Sequence, residues 1–220
     1  MTELLVPHPR FITLEGGEGA GKSTALAAVR EALQSSGYEV VRTREPGGTP
    51  LAEKIRGLLL ENRPSAGGSE ALVPETELLL MFAARAQHVR EVIRPALQRG
   101  AYVVCDRFTD SSYAYQGAGR GLDQSWIEDL ERRAVGLRPG LTLLLDLDVR
   151  QGRARTRGRD LWPDRIESEQ DDFFERVREC FRLRAAADPG RFRLIDATRP
   201  AAVVASEVGA VVSEWLRHAG

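Results

Sequence analysis

Apolar residues alternate along the chain between two patterns. Short runs rich in β-branched residues occur at Phe11–Leu14, Glu39–Thr43, Ala101–Cys105, Leu141–Asp146 and Phe192–Asp196, with the length and composition of buried strands. Each is followed by a longer stretch with helical spacing of its apolar positions. The predicted helices are Lys22–Ser35, Leu51–Leu60, Glu75–Gln98, Ser125–Val135, Val149–Arg157, Ser168–Ala187 and Ala201–His218. Strands separated by crossovers of this length form βαβ units, so the pattern predicts an α/β fold with a parallel sheet flanked by helices. Gly37, Gly100 and Gly140 each lie between a predicted helix and the next strand, where a helix C-cap favours a residue tolerant of positive φ. Pro64–Ser69 reads as a loop, and Arg157–Glu169 breaks helical periodicity with Gly158 and Pro163.

Length adds that 220 residues suit one domain with a sizeable core. Charge adds an exclusion: 31 basic residues against 32 acidic ones leave no global positive field for polymeric nucleic acid or an anionic membrane. A small anionic substrate in a locally basic cleft fits that balance. The longest apolar run, Leu78–Ala84, is too short to span a bilayer, and Met1–Arg10 lacks the features of a signal peptide. Cys105 and Cys180 have neither metal-site spacing nor enough partners for a disulfide framework, so buried thiols in a reducing cytoplasm are expected.

The strongest chemical signal follows the first predicted strand. Gly16-Gly17-Glu18-Gly19-Ala20-Gly21-Lys22-Ser23 fits the phosphate-binding pattern of glycines closed by Gly-Lys-Ser, between a strand and a helix. Closely spaced glycines let backbone N–H groups converge on a polyphosphate, and the helix N-terminus adds a favourable dipole. Lys22 is suited to the β and γ oxygens, and Ser23 to Mg²⁺. A P-loop alone leaves switch GTPases, motor ATPases and kinases open, and of these the guanine-reading NKxD and the DxxG switch string of GTPases are absent.

Two further segments supply an acceptor side. Thr43-Arg44-Glu45-Pro46-Gly47-Gly48-Thr49 leaves the second strand toward a helix carrying Arg56. Asp106-Arg107-Phe108 leaves the third, ahead of Ser111, Ser112, Tyr115 and Gln116, at the strand ends where open α/β sheets bind ligands. With the P-loop, the strings TREPGGT, LLLMFAAR, DRFTDSSYAYQG and the arginine-rich stretch before DRIE resemble bacterial thymidylate kinases from about Phe11 to the C-terminus.

The resemblance implies a five-stranded parallel sheet of the P-loop NTPase class. Residues 1–220 would form one kinase domain with an arginine-rich lid at about 153–168, acting on ATP and dTMP, and a homodimer is expected. Arg56 and Arg107 would hold the acceptor phosphate, for which forked guanidinium donors suit tetrahedral oxyanions. Asp106 would orient Mg²⁺, and Glu18 would reach the sugar's 3′-hydroxyl or a phosphate-binding arginine. Phe82 and Arg85 would cover the thymine ring and bond its edge, with Met81 as the alternative ring contact. Tyr115 would pack under the sugar, and Ser112 and Gln116 would bond the base. Because Gly17 to Ala20 include no arginine, the lid must supply the transition-state guanidinium from Arg153, Arg155, Arg157, Arg159 and Arg165. Arg157 is the first choice and Arg165 the second, although Leu161-Trp162-Pro163 interrupts the register. The adenine would lie between the lid and Asp196–Arg199.

Overall fold

The computed structural model describes residues 5–61, 71–156 and 165–218. Five strands, β1 (Pro7–Gly16), β2 (Val40–Arg44), β3 (Tyr102–Asp106), β4 (Arg138–Asp146) and β5 (Phe192–Asp196), form one sheet in the order β2-β3-β1-β4-β5. Every pairing is parallel. Successive strand residues face opposite sides, and both sides are covered. Phe11, Val103, Cys105 and Leu144 join one apolar cluster, while Ile12, Leu14, Val104 and Leu145 join the other. Burial on both faces is why these strands read as continuous apolar runs.

The helices are α1 (Lys22–Ser35), α2 (Pro50–Leu60), α3 (Pro74–His88), α4 (Arg94–Gln98), α5 (Thr109–Ser112), α6 (Gln124–Leu130), α7 (Val149–Thr156), α8 (Asp171–Ala187) and α9 (Ala201–His218). A π-helical turn, Val89–Ile93, joins α3 to α4, so the predicted Glu75–Gln98 helix forms with a local expansion. Residues of α1 and α9 cover one face of the sheet, and residues of α3 and α8 the other.

Two sequence expectations are corrected. Gly140 is no helix cap: it lies inside β4, where an added Cβ would stand 2.6 Å from the His8 carbonyl oxygen of β1. The left-handed residue ending the preceding π turn is Gly136, at φ 57°. The second correction is a helical segment that the sequence reading did not assign, α5 with the π turn Tyr113–Gly119. Its small and polar residues are mostly buried, so no apolar stripe marks it.

Pro64–Ser69, Arg157, Arg159 and Leu161–Pro163 lie outside the described residues. No described helix is long and apolar enough to cross a membrane. Cys105 and Cys180 are buried free thiols.

Candidate active site

The ends of β1 and β3 lie side by side, Leu14 opposite Asp106, which brings the P-loop against the Asp106-Arg107 turn. Gly16 turns the chain at φ 136°, and a Cβ there would meet the Leu145 carbonyl oxygen at 2.4 Å. The Lys22 Nζ donates to the Gly16 and Gly17 carbonyls at 3.2 and 2.9 Å. Burial first, and then the charge of Arg107, pull the Lys22 pKa down to about 8. A polyphosphate bound here would replace carbonyl partners by anionic ones and restore the cation.

Arg107 occupies the left-handed region at φ 68°, uncommon for a residue with a side chain. Its N–H donates to the Leu14 carbonyl at 2.9 Å, and its guanidinium lies 4.9 Å from the Tyr115 ring centre. The Arg107 Nη1 donates to Ser111 Oγ at 3.2 Å, and Ser111 Oγ donates to Glu15 at 2.6 Å. Glu15 also accepts the Phe108 N–H at 2.7 Å, so one buried carboxyl at the end of β1 fixes the start of the segment after β3. From the other side, α5 is anchored by Asp110. Burial alone would raise the Asp110 pKa, but Arg184 and Arg191 pull it down to about 2.

Glu15 was not singled out from the sequence, although a carboxylate directly after the apolar run Phe11–Leu14 and before the P-loop glycines is a signal in itself. Burial foremost, and then Asp110, push its pKa from 4.5 up to about 7. The folded state therefore keeps the proton between those values while the unfolded chain releases it. The stability this group contributes is fully present below about pH 4.5 and is lost as pH rises through 7. Glu15→Gln should abolish that dependence. Wild type should lose ~1–3 kcal/mol relative to the variant between pH 5 and 8 in urea unfolding, and parallel pH profiles would contradict the assignment.

One cavity is lined by Glu18, Arg56, Arg85, Arg107, Ser112, Tyr115 and Gln116, together with Met81 and Ile166 among others. Every acceptor-side residue expected from the sequence is here except Phe82. That ring is buried in the core cluster on α3, with the Arg85 guanidinium 4.7 Å from its centre, and the adjacent Met81 takes the wall position. Arg56 Nη1 donates to the Pro46 carbonyl at 3.0 Å. Thr49 positions its helix by accepting the Ala52 N–H at 3.1 Å, with Pro50 opening the first turn.

Arg85 is nearly inaccessible and donates to Glu45 at 2.5 Å, Ser112 Oγ at 2.9 Å and the Phe108 carbonyl at 3.1 Å. Glu45 also pairs with His88 Nδ1 at 2.9 Å, so the loop after β2 is tied to α3. Gln116 Nε2 donates to the buried Glu77 at 2.6 Å. Glu45 and Glu77 were missed in the sequence because their partners stand some forty positions away or more.

A second, narrow cavity extends behind the P-loop and is lined by Gly16, Gly17, Glu18, Asp146, Arg153 and Arg178, among others. Glu18 borders both cavities. Here α7 meets the P-loop backbone to backbone: a Cβ on Gly152 would stand 2.4 Å from the Glu18 carbonyl oxygen. A glycine inside a helical pattern was the available signal for this contact.

The described arginines of the expected lid part ways. Arg155 Nη1 donates to the Ala197 carbonyl at 2.9 Å and the Gly19 carbonyl at 3.4 Å, bridging the P-loop and the loop after β5. Arg153 pairs with Asp171 at 2.9 Å and lies over Phe174. Arg165 is placed away from the P-loop contacts, since its Nη2 donates to Glu77 at 2.6 Å and its Nε to the Leu59 carbonyl at 3.1 Å. The buried Glu77 carboxyl holds the Arg165 guanidinium in this place.

A family model described as thymidylate kinase matches residues 14–208, which takes in the P-loop, both acceptor segments and most of the rest of the chain. The chain belongs to the thymidylate kinase family. It is 57% identical over 210 residues to the thymidylate kinase of Pseudomonas fluorescens strain SBW25, covering 95% of this chain and 97% of that one. It is 55% identical over 208 residues to the thymidylate kinase of Chromohalobacter salexigens, covering 94% and 96%. Among solved structures, the thymidylate kinase of Ehrlichia chaffeensis superposes with a TM-score of 0.73 at 33% identity, covering 92% of this chain and 97% of that one. The five-stranded parallel sheet is thus that of the P-loop thymidylate kinases.

Proposed function

We propose that this chain transfers the γ-phosphoryl group of ATP in line to the 5′-phosphate of dTMP, giving ADP and dTDP. The observation that carries the reading is the boundary at Glu18, a P-loop residue that also lines the cavity holding Arg56 and Arg107. A donor polyphosphate on the P-loop and an acceptor phosphate on the two arginines would face each other across that boundary. Catalysis then rests on positioning and charge neutralisation, with no covalent intermediate.

Asp106 and Ser23 are the residues that would hold Mg²⁺. They fit a hard cation: Asp106 Oδ1 is buried and lacks a hydrogen-bond partner among the described residues, and Ser23 opens α1 beside the P-loop. When bound with ATP, the ion neutralises charge on the β- and γ-phosphate oxygens. Tyr115 would support the sugar, while Arg85, Ser112 and Gln116 would bond the base edge. Arg155 borders the region assigned to adenine, between the P-loop and Thr198.

The chain would act as a single domain with a lid over about residues 153–168. A homodimer is expected from the family, and Leu51 and Leu58, seven residues apart on one side of α2, are exposed apolar side chains that such an interface would cover. A cytoplasmic setting agrees with two unpaired buried thiols.

Arg107→Ala tests the acceptor assignment. Loss of a charge-assisted contact should cost ~1.5–3 kcal/mol of dTMP affinity by calorimetry. Thymidine, lacking the phosphate, should bind both proteins equally. Unchanged dTMP affinity would remove Arg107 from the phosphate site.

A further inference from the structure

Gln116 lines the acceptor cavity, yet an amide can offer a base either its N–H donors or its carbonyl acceptor, and the choice decides which base fits. Glu77 makes that choice. It lies on α3, is 1% exposed, and receives Gln116 Nε2 on one carboxyl oxygen at 2.6 Å. Its other oxygen receives Arg120 Nε at 3.1 Å and Arg165 Nη2 at 2.6 Å. With two guanidinium groups donating to one oxygen and the Gln116 amide to the other, the Glu77 carboxyl is an acceptor on both sides.

We propose that Glu77 is a positioning residue for base selectivity, holding the Gln116 amide with its NH₂ group turned inward so that its carbonyl oxygen is the acceptor offered to the substrate base. No described residue donates to Gln116 Oε1. Arg85, on the same wall, spends one N–H each from Nε, Nη1 and Nη2 on Glu45, Ser112 and Phe108 and keeps two further N–H groups. The wall therefore combines an acceptor with a donor. A pyrimidine with an N3–H beside a C4 carbonyl complements that pair, whereas cytosine presents a bare N3 beside an amine. The inference rests on the proposed dTMP kinase reading and deepens it.

The test compares kcat/KM for dTMP, dUMP and dCMP in wild type, Glu77→Gln and Glu77→Asp. Wild type should prefer dTMP over dCMP strongly, and absence of that preference would overturn the base reading together with the role of Glu77. In Glu77→Gln the position can donate as well as accept, so Gln116 loses its enforced orientation. The dTMP to dCMP ratio should then fall at least ~10-fold, since a buried polar group left mismatched is what enforces such discrimination. The dTMP to dUMP ratio should hold, because both bases share the same edge. Glu77→Asp, still an acceptor only, should retain the dTMP to dCMP ratio even if both rates drop. A parallel fall for all three acceptors in Glu77→Gln, with the wild-type preference intact, would reduce Glu77 to a structural anchor and overturn the proposal alone. Should Glu77→Gln fail to fold, the wild-type Gln116 side-chain amide decides by NMR, assigned with Gln116→Leu. Its protons should exchange slowly with and without dTMP, and free exchange would overturn the proposal.

Discussion

Lys22→Ala should lower kcat for dTDP formation by ~10²–10³, the usual loss when one preorganised donor to developing charge is removed. The same variant should melt at or above the wild-type temperature. Lys22 is a cation whose pKa is pulled down to about 8 by burial and by Arg107, so its charged form is disfavoured before a phosphate arrives. Steady-state kinetics and thermal unfolding on one preparation check both halves. A folded Lys22→Ala protein with near-normal kcat would mean that the P-loop does not hold the donor.

Arg157→Ala should show the other large effect, a kcat loss of at least tenfold toward the ~10³–10⁵ that a mobile in-line arginine is worth in P-loop enzymes. KM for ATP and for dTMP should change little, because a group acting only on the transition state leaves ground-state binding alone. The geometry of the neighbours sharpens this expectation. Arg153 is paired with Asp171, and Arg165 with Glu77, so alanine at either position should act mainly on stability. Outside the lid the first alternative guanidinium is Arg44 at the end of β2, which is half exposed and paired with Glu53 on the surface. Alanine variants at Arg153, Arg155, Arg157, Arg159 and Arg165, each assayed at saturating ATP and dTMP, decide the matter. Five near-wild-type kcat values would leave the lid without its chemical role.

What the sequence disclosed follows from the physics of each feature. The central strands β1, β3 and β4 were legible because a sheet covered on both faces needs apolar residues at successive positions, and helix α1 began and ended as its pattern indicated. The P-loop was legible because the glycines and the lysine are contiguous. The helix at Thr109–Ser112 and its π turn were not, since Thr109, Asp110, Ser111 and Ser112 are buried through hydrogen bonds to distant partners. Phe82 and Met81 could not be separated by spacing alone, because a one-residue step turns a side chain by ~100° around a helix and sends it to a different surface. The carboxylates of Glu15, Glu45 and Glu77 escaped notice for a third reason. A buried acid is tolerable only with its partners, and those partners are supplied by the fold.

The central claim is a reaction with a particular acceptor, and one coupled measurement addresses it most directly. The purified protein is given ATP and Mg²⁺ with dTMP, dCMP, dGMP or thymidine in turn, and ADP and the phosphorylated product are quantified together. The account predicts rapid, stoichiometric formation of ADP and dTDP from dTMP, far slower conversion of the other three, and almost no ATP turnover without an acceptor. Equal rates on all four acceptors, or ATP turnover indifferent to their presence, would contradict it.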